Sequence, residues 1–108
     1  MKTALEVKYN CENNILCYHV TGEIDSSNYE IFKNTVFSGF SEYSNIKEVI
    51  FDLKYCSSIS SNGFGIFYEF LDTIEKRGFK LKISLINTNP LIFKIIKLLK
   101  MYNEFNVT

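Results

Sequence analysis

The sequence predicts an α/β fold, a single mixed β-sheet of four to five strands with helices mainly on one face, in the order β-β-α-β-α-β-α-β. Three observations predict it. The chain opens with two short runs of β-forming residues, Ala4 to Tyr9 and Ile15 to Thr21, separated by Asn10-Cys11-Glu12-Asn13-Asn14. A continuous apolar run, Glu48-Val49-Ile50-Phe51-Asp52-Leu53, has the pattern of a strand buried on both faces, as in a parallel sheet. Around that run the hydrophobic period changes from two to about 3.6, the helical value.

The opening runs form a hairpin, because an Asn pair tolerates the positive φ that a tight turn needs. From Ser27 onward Tyr29, Phe32, Val36 and Phe40 recur at helical spacing, with Ser26, Ser27 and Asn28 as cap candidates and Gly39 near the far end. Glu48 to Leu53 is then the central strand. Phe64, Phe67, Leu71 and Ile74 mark a second helix, starting near Asn62 and ending at Gly78. Leu81, Ile83 and Leu85 alternate with Lys80, Lys82 and Ser84, which predicts a fourth strand near the sheet edge with one wet face. Asn89-Pro90 starts a third helix, since Asn caps well and Pro is tolerated at the first helical position. Phe105 to Val107 closes the sheet. No linker or repeat divides the chain, so residues 1–108 read as one domain.

Composition narrows the function classes. Twelve basic and twelve acidic residues leave no net charge, so nothing steers the chain toward nucleic acid. With 46% apolar residues, ten Phe and seven Tyr, there is ample side-chain surface to close a core. No stretch approaches the ~18 apolar residues of a membrane span, and Met1 to Glu6 lacks a signal peptide's apolar centre, so a cytoplasmic chain without membrane insertion is expected. Cys11, Cys17 and Cys56 are an odd number, read as reduced thiols. With one His and no close Cys pair, neither a metal site nor a cofactor is expected.

The most informative stretch is Tyr55-Cys56-Ser57-Ser58-Ile59-Ser60-Ser61-Asn62-Gly63, read as the link between the central strand and the second helix. Ligands and modified residues collect at the carboxyl ends of strands in α/β sheets, and a helix N-terminus carries about half a positive charge. Hydroxyls there suit a phosphate. Ser and Asn are also the favoured N-caps of any helix, which accounts for them without a ligand.

The segments Val20-Thr21-Gly22-Glu23-Ile24-Asp25, Val49-Ile50-Phe51-Asp52-Leu53 and Ile59-Ser60-Ser61-Asn62-Gly63-Phe64-Gly65, with Gly78 before a strand and Asn89-Pro90 before a last helix, resemble the STAS domain of bacterial anti-sigma factor antagonists. The resemblance implies partner switching in transcription regulation. Such a domain binds an anti-sigma factor with serine kinase activity, releases the sigma factor, and is switched off when one Ser in an Asp-Ser-Ser-Gly motif is phosphorylated. Ser60, Ser61, Asn62 and Gly63 match that motif. The acceptor position is Asn62, which has no hydroxyl, so the phosphorylation site is lost and the patch stays neutral. Ser61 is the substitute acceptor, but one residue turns a helical side chain by ~100°, and small misplacements slow group transfer steeply.

The resemblance also places a partner-binding surface at Asp25, Ser26, Ser27 and Asn28 together with Ser58, Ser60, Ser61, Asn62, Gly63 and Phe64. Asp25 has a local reading too, as a turn carboxylate for the first helix. The alternative function is a non-phosphorylated STAS adaptor inside a stressosome-like or membrane transporter assembly. An enzyme is not expected. Glu23, Asp25 and Asp52 lie in no catalytic motif, His19 falls inside a strand, and neither Gly-x-Ser-x-Gly nor a Walker loop occurs. Leu91 to Met101 is apolar except for Lys94, Lys97 and Lys100. A core helix with a lysine stripe explains it best; a membrane surface, a partner groove or a homodimer are further uses of the surplus.

Overall fold

The computed structural model describes residues 4–108. The residues before them, which belong to the segment read above for a leader and to the predicted 1–108 domain, lie outside it. The elements are β1 (Glu6–Glu12), β2 (Ile15–Ile24), α1 (Tyr29–Glu42), β3 (Glu48–Ile59), α2 (Ser61–Lys76), β4 (Lys82–Ile86), α3 (Pro90–Leu98), a 3₁₀ turn (Met101–Asn103) and β5 (Asn106–Val107). The predicted order and fold class hold.

The five strands lie in the order β1-β2-β3-β4-β5, with β1 antiparallel to β2 and every later pair parallel. Each parallel crossover steps the same way along the sheet. Right-handed connections therefore place α1, α2 and α3 on one face.

The aromatic residues build the layer between sheet and helices. Tyr18 of β2 stacks on Phe51 of β3 with ring centres 4.9 Å apart, and Phe67 of α2 meets the Phe51 ring edge-on at 5.0 Å. Phe32 of α1 joins at 5.6 Å from Phe67. Each such pair adds about 0.5–1.5 kcal/mol beyond simple burial. The buried Tyr18 hydroxyl donates to the Val36 carbonyl, so its polar end has a partner within the core. Burial, with Tyr9 beside it, holds the Tyr18 phenol far above its ordinary pKa.

Several boundaries differ from the sequence reading, each for a physical reason. The hairpin turn is Asn13-Asn14 alone, both at positive φ (55° and 66°), so β1 runs on through Glu12. β3 continues six residues beyond Leu53. Between His19 and Thr21 of β2, and again between Gly22 and Glu23, β3 inserts one extra residue, so Tyr55, Cys56 and Ser58 pair with Thr21, Gly22 and Glu23. Bulges break the alternation of faces, which is why the buried residues there fall at every third position: Leu53, Cys56 and Ile59. The polar stretch read as the link between the central strand and the second helix is thus mostly strand.

β4 is an inner strand, and Ser84 is buried rather than wet, with its hydroxyl accepting from the Asn106 amide at 3.3 Å. α2 ends where Gly78 takes φ 80°, with the Phe79 and Gly78 N–H groups donating to the carbonyls of Ile74 and Glu75, the double bond that closes a helix C-terminus. α3 stops at Leu98, followed by Lys100 at φ 56°.

Candidate functional site

The C-terminal ends of β2 and β3 lie side by side and hand over to α1 and α2. The Ser60 N–H donates to the Ile24 carbonyl at 2.8 Å, so the start of α2 is tied to the end of β2. Ser60 is the N-cap of α2; its hydroxyl accepts from the Gly63 N–H at 3.4 Å. Ser61 and Asn62 form the first exposed positions of the helix.

The segment from Asp25 to Asn28 is a self-contained turn beside them. One Asp25 carboxylate oxygen, Oδ1, accepts from the N–H of Ser27 at 2.9 Å, from the Ser27 hydroxyl at 2.6 Å and from the N–H of Asn28 at 3.1 Å. Asn28 answers with its own side chain: Oδ1 accepts from the Asp25 N–H and Nδ2 donates to the Glu23 carbonyl. Asn28 therefore caps nothing with its side chain, although it stands at the helix start. Asp25 carries the local role considered for it. Ser26 and Ser27 are exposed on the tip.

Two further contacts brace the surface. The Ser58 hydroxyl donates to Glu23 Oε1 at 3.2 Å, linking the paired strands side chain to side chain. Asn89, the N-cap of α3, accepts from the Ile92 N–H at 2.8 Å while its amide donates to the carbonyls of Cys56 and Ser57 at 3.2 and 3.0 Å. Its cap role is visible in Asn-Pro; its grip on β3 is not, because that depends on a residue more than thirty positions away.

Two residues expected on this surface are not on it. Phe64 is 3% exposed and packs toward Phe67, and Gly63 is buried beneath the first turn. A Cβ at Gly63 would stand 2.7 Å from the γ2 methyls of both Ile24 and Ile59. Gly63 thus permits α2 to sit close against the strand ends. The accessible surface is carried by Ser26, Ser27, Ser57, Ser61 and Asn62, with Asp25, Asn28, Ser58 and Ser60 half-buried as its frame.

The carboxylates do not converge. Asp52 pairs in register with His19, and its Oδ2 lies 3.4 Å from His19 Nδ1. Burial pushes its pKa up, but the Asn87 amide, the Lys54 N–H and His19 outweigh that and leave it below the ordinary carboxylate value. Cys56 is buried, its thiol donating to the Ser58 carbonyl at 3.6 Å; burial, aided by Glu23 and opposed only in part by the Ser58 backbone, pushes the thiol up to about 11. A thiol so placed is a poor nucleophile at neutral pH. Among the described residues no three His, Cys, Asp or Glu groups are placed to hold a metal ion.

Comparison with known proteins agrees with this architecture. An anti-sigma factor antagonist from Mycobacterium paratuberculosis superposes with a TM-score of 0.80 at 17% identity, over 96% of this chain and 85% of that one. A Thermotoga maritima protein assigned as an anti-sigma factor antagonist gives 0.77 at 19% identity, over 94% and 84%. The Bacillus cell fate determinant SpoIIAA, solved in its phosphorylated form, gives 0.68 at 14% identity, over 97% and 91%. These likenesses establish the fold. No curated protein matches the sequence. The family model of the STAS domain matches residues 6–108, and the chain belongs to that family.

Proposed function

We propose that the chain is a protein-binding regulatory module that docks on an anti-sigma factor with serine kinase activity, through the surface where β2 and β3 give way to α1 and α2. The observation that carries this reading is the exposed first turn of α2, Ser61 and Asn62, held between the Asp25–Asn28 turn and the Asn89 brace. Similar folds belong to anti-sigma factor antagonists, and SpoIIAA exists in a phosphorylated form. Asn62 occupies the place of the phospho-acceptor. Its amide donates and accepts hydrogen bonds but takes no phosphate, so docking is not switched off at this residue.

That same amide favours a second reading, an unswitched STAS adaptor within a stressosome-like or membrane transporter assembly. Titration calorimetry against the cognate kinase-type anti-sigma factor, followed by intact mass measurement with ATP, separates the two. The proposal expects a complex and no gain in mass. Absence of a complex transfers the case to the adaptor. A phosphate on Ser61 would overturn the unswitched docking.

A further inference from the structure

Helix α3 buries one side and leaves an unusual ridge on the other. Ile92 and Ile96 are fully packed, yet exposure rises from 40% at Phe93 and 55% at Leu91 to 73% at Leu98. Seven residues apart, Leu91 and Leu98 project within about 20° of each other. Lys94 and Lys97 lie on the adjoining strip, and Lys97 Nζ sits 5.7 Å from the Phe93 ring centre. Pro90, Phe93 and Leu98 line a shallow groove of about 440 Å³ with these two lysines. From Pro90 to Asn103 the charged residues are Lys94, Lys97 and Lys100, with no carboxylate. A chain of zero net charge therefore places two positive charges, Lys94 and Lys97, beside exposed Leu and Phe, with Lys100 just past the helix end.

We propose that this ridge docks on a bilayer surface rich in anionic phospholipid, at headgroup depth. The charge sign calls for an anionic counterpart. The intermixing of Lys with apolar side chains selects lipid over protein, because Lys is depleted from protein interface cores, where its ammonium would be desolvated. At a bilayer the lysine stems lie along the apolar boundary while the ammonium groups reach phosphate. The contact is peripheral, since no helix of the described residues is long and apolar enough to cross a membrane. It lies apart from Ser61 and Asn62 in sequence and serves a different ligand.

Vesicle flotation tests this, using phosphatidylcholine alone and phosphatidylcholine mixed with phosphatidylglycerol. The chain floats with the mixed vesicles only, and the bound fraction falls as salt rises. Lys94→Gln and Lys97→Gln each weaken partitioning about 5-fold. Leu98→Asp, at an exposed position that leaves the circular dichroism spectrum unchanged, abolishes flotation. The proposal is overturned by no flotation on mixed vesicles, by equal flotation on phosphatidylcholine alone, or by unaltered binding of Leu98→Asp. A vesicle-free dimer that Leu98→Asp dissolves in sedimentation velocity also overturns it, assigning the ridge to a second copy.

Discussion

Gly63 lies against Ile24, so close that a single added carbon would stand 2.7 Å from the isoleucine γ2 methyl. This proximity lets the Ser60 N–H reach the Ile24 carbonyl and brings the Asp25–Asn28 turn beside the start of α2. The candidate surface thus depends on a position that presents no side chain of its own.

Gly63→Ala should destabilise the fold. Ile24 and Ile59 are β-branched and fully packed, so neither methyl swings away, and overpacking of this kind costs about 1–3 kcal/mol, offset in part by the better helix propensity of Ala. Gly65→Ala, two residues along in the same helix with nothing within 4 Å of the added carbon, should stabilise by up to about 1 kcal/mol. Urea unfolding of the pair measures both. Equal effects of the two variants would refute the close-packing account.

Asn89→Ala should cost about 2 kcal/mol, more than an ordinary cap, because it removes the acceptor for Ile92 and both amide contacts to the end of β3. Asn89→Asp keeps the acceptor and loses the two donated bonds, so its loss should be intermediate. Chemical denaturation with amide exchange at Cys56 and Ser57 reports on both parts. If the Asp variant matches wild type, the brace on β3 contributes nothing.

The depressed pKa of Asp52 sets an acid limb of stability. A carboxylate whose folded pKa lies below its unfolded value stabilises the protein above the unfolded pKa, and that contribution disappears as pH falls through the folded value. Asp52→Asn should therefore be the less stable protein at neutral pH. Its deficit should shrink below about pH 4, the ordinary aspartate range. Denaturation midpoints of the two proteins across acid pH should converge; parallel curves would contradict the assignment.

Cys56 should resist alkylation while the protein is folded. Its thiol is buried, and with its pKa near 11 almost none is thiolate at pH 8, whereas Cys11 is half-buried. Peptide mapping after iodoacetamide treatment should find Cys56 labelled only when denaturant is present. Rapid native labelling at Cys56 would mean that the β3 end opens readily.

Strand and helix order were legible because each element carries its own signal: the helical period of Phe32, Val36 and Phe40 in α1, and the apolar run of β3. That run reads as buried on both faces but has only Val49, Phe51 and Leu53 buried, because the helices cover one face of the sheet. The continuation of β3 to Ile59 was not legible. Tyr55-Cys56-Ser57-Ser58 has no alternation, because the two bulges are set by register against β2, a relationship between residues about 35 positions apart. The proposed docking surface was half legible. Ser61 and Asn62 are exposed as expected, but Phe64 shares the helical period of Phe67 and Ile74, and that period already assigned it to the core rather than to a partner. Burial of Gly63 left no local trace, since only the approach of Ile24 requires it.

Restoring a hydroxyl at residue 62 tests the proposed function most directly. Asn62→Ser should keep the exposed first turn of α2, since the cap is Ser60 and the close approach is at Gly63, neither of which changes. Incubated with the kinase-type anti-sigma factor and ATP, the variant should gain one phosphate while the wild type, which retains Ser61, gains none. A phosphate there adds a charge of about −1.5 to −2, favourable to the positive end of α2 but foreign to an exposed surface of uncharged Ser and Asn side chains. The modified variant should therefore bind its partner more weakly than the same variant without ATP. If Asn62→Ser stays unmodified although it binds, residue 62 is not the acceptor position, and the proposed loss of the switch at Asn62 falls.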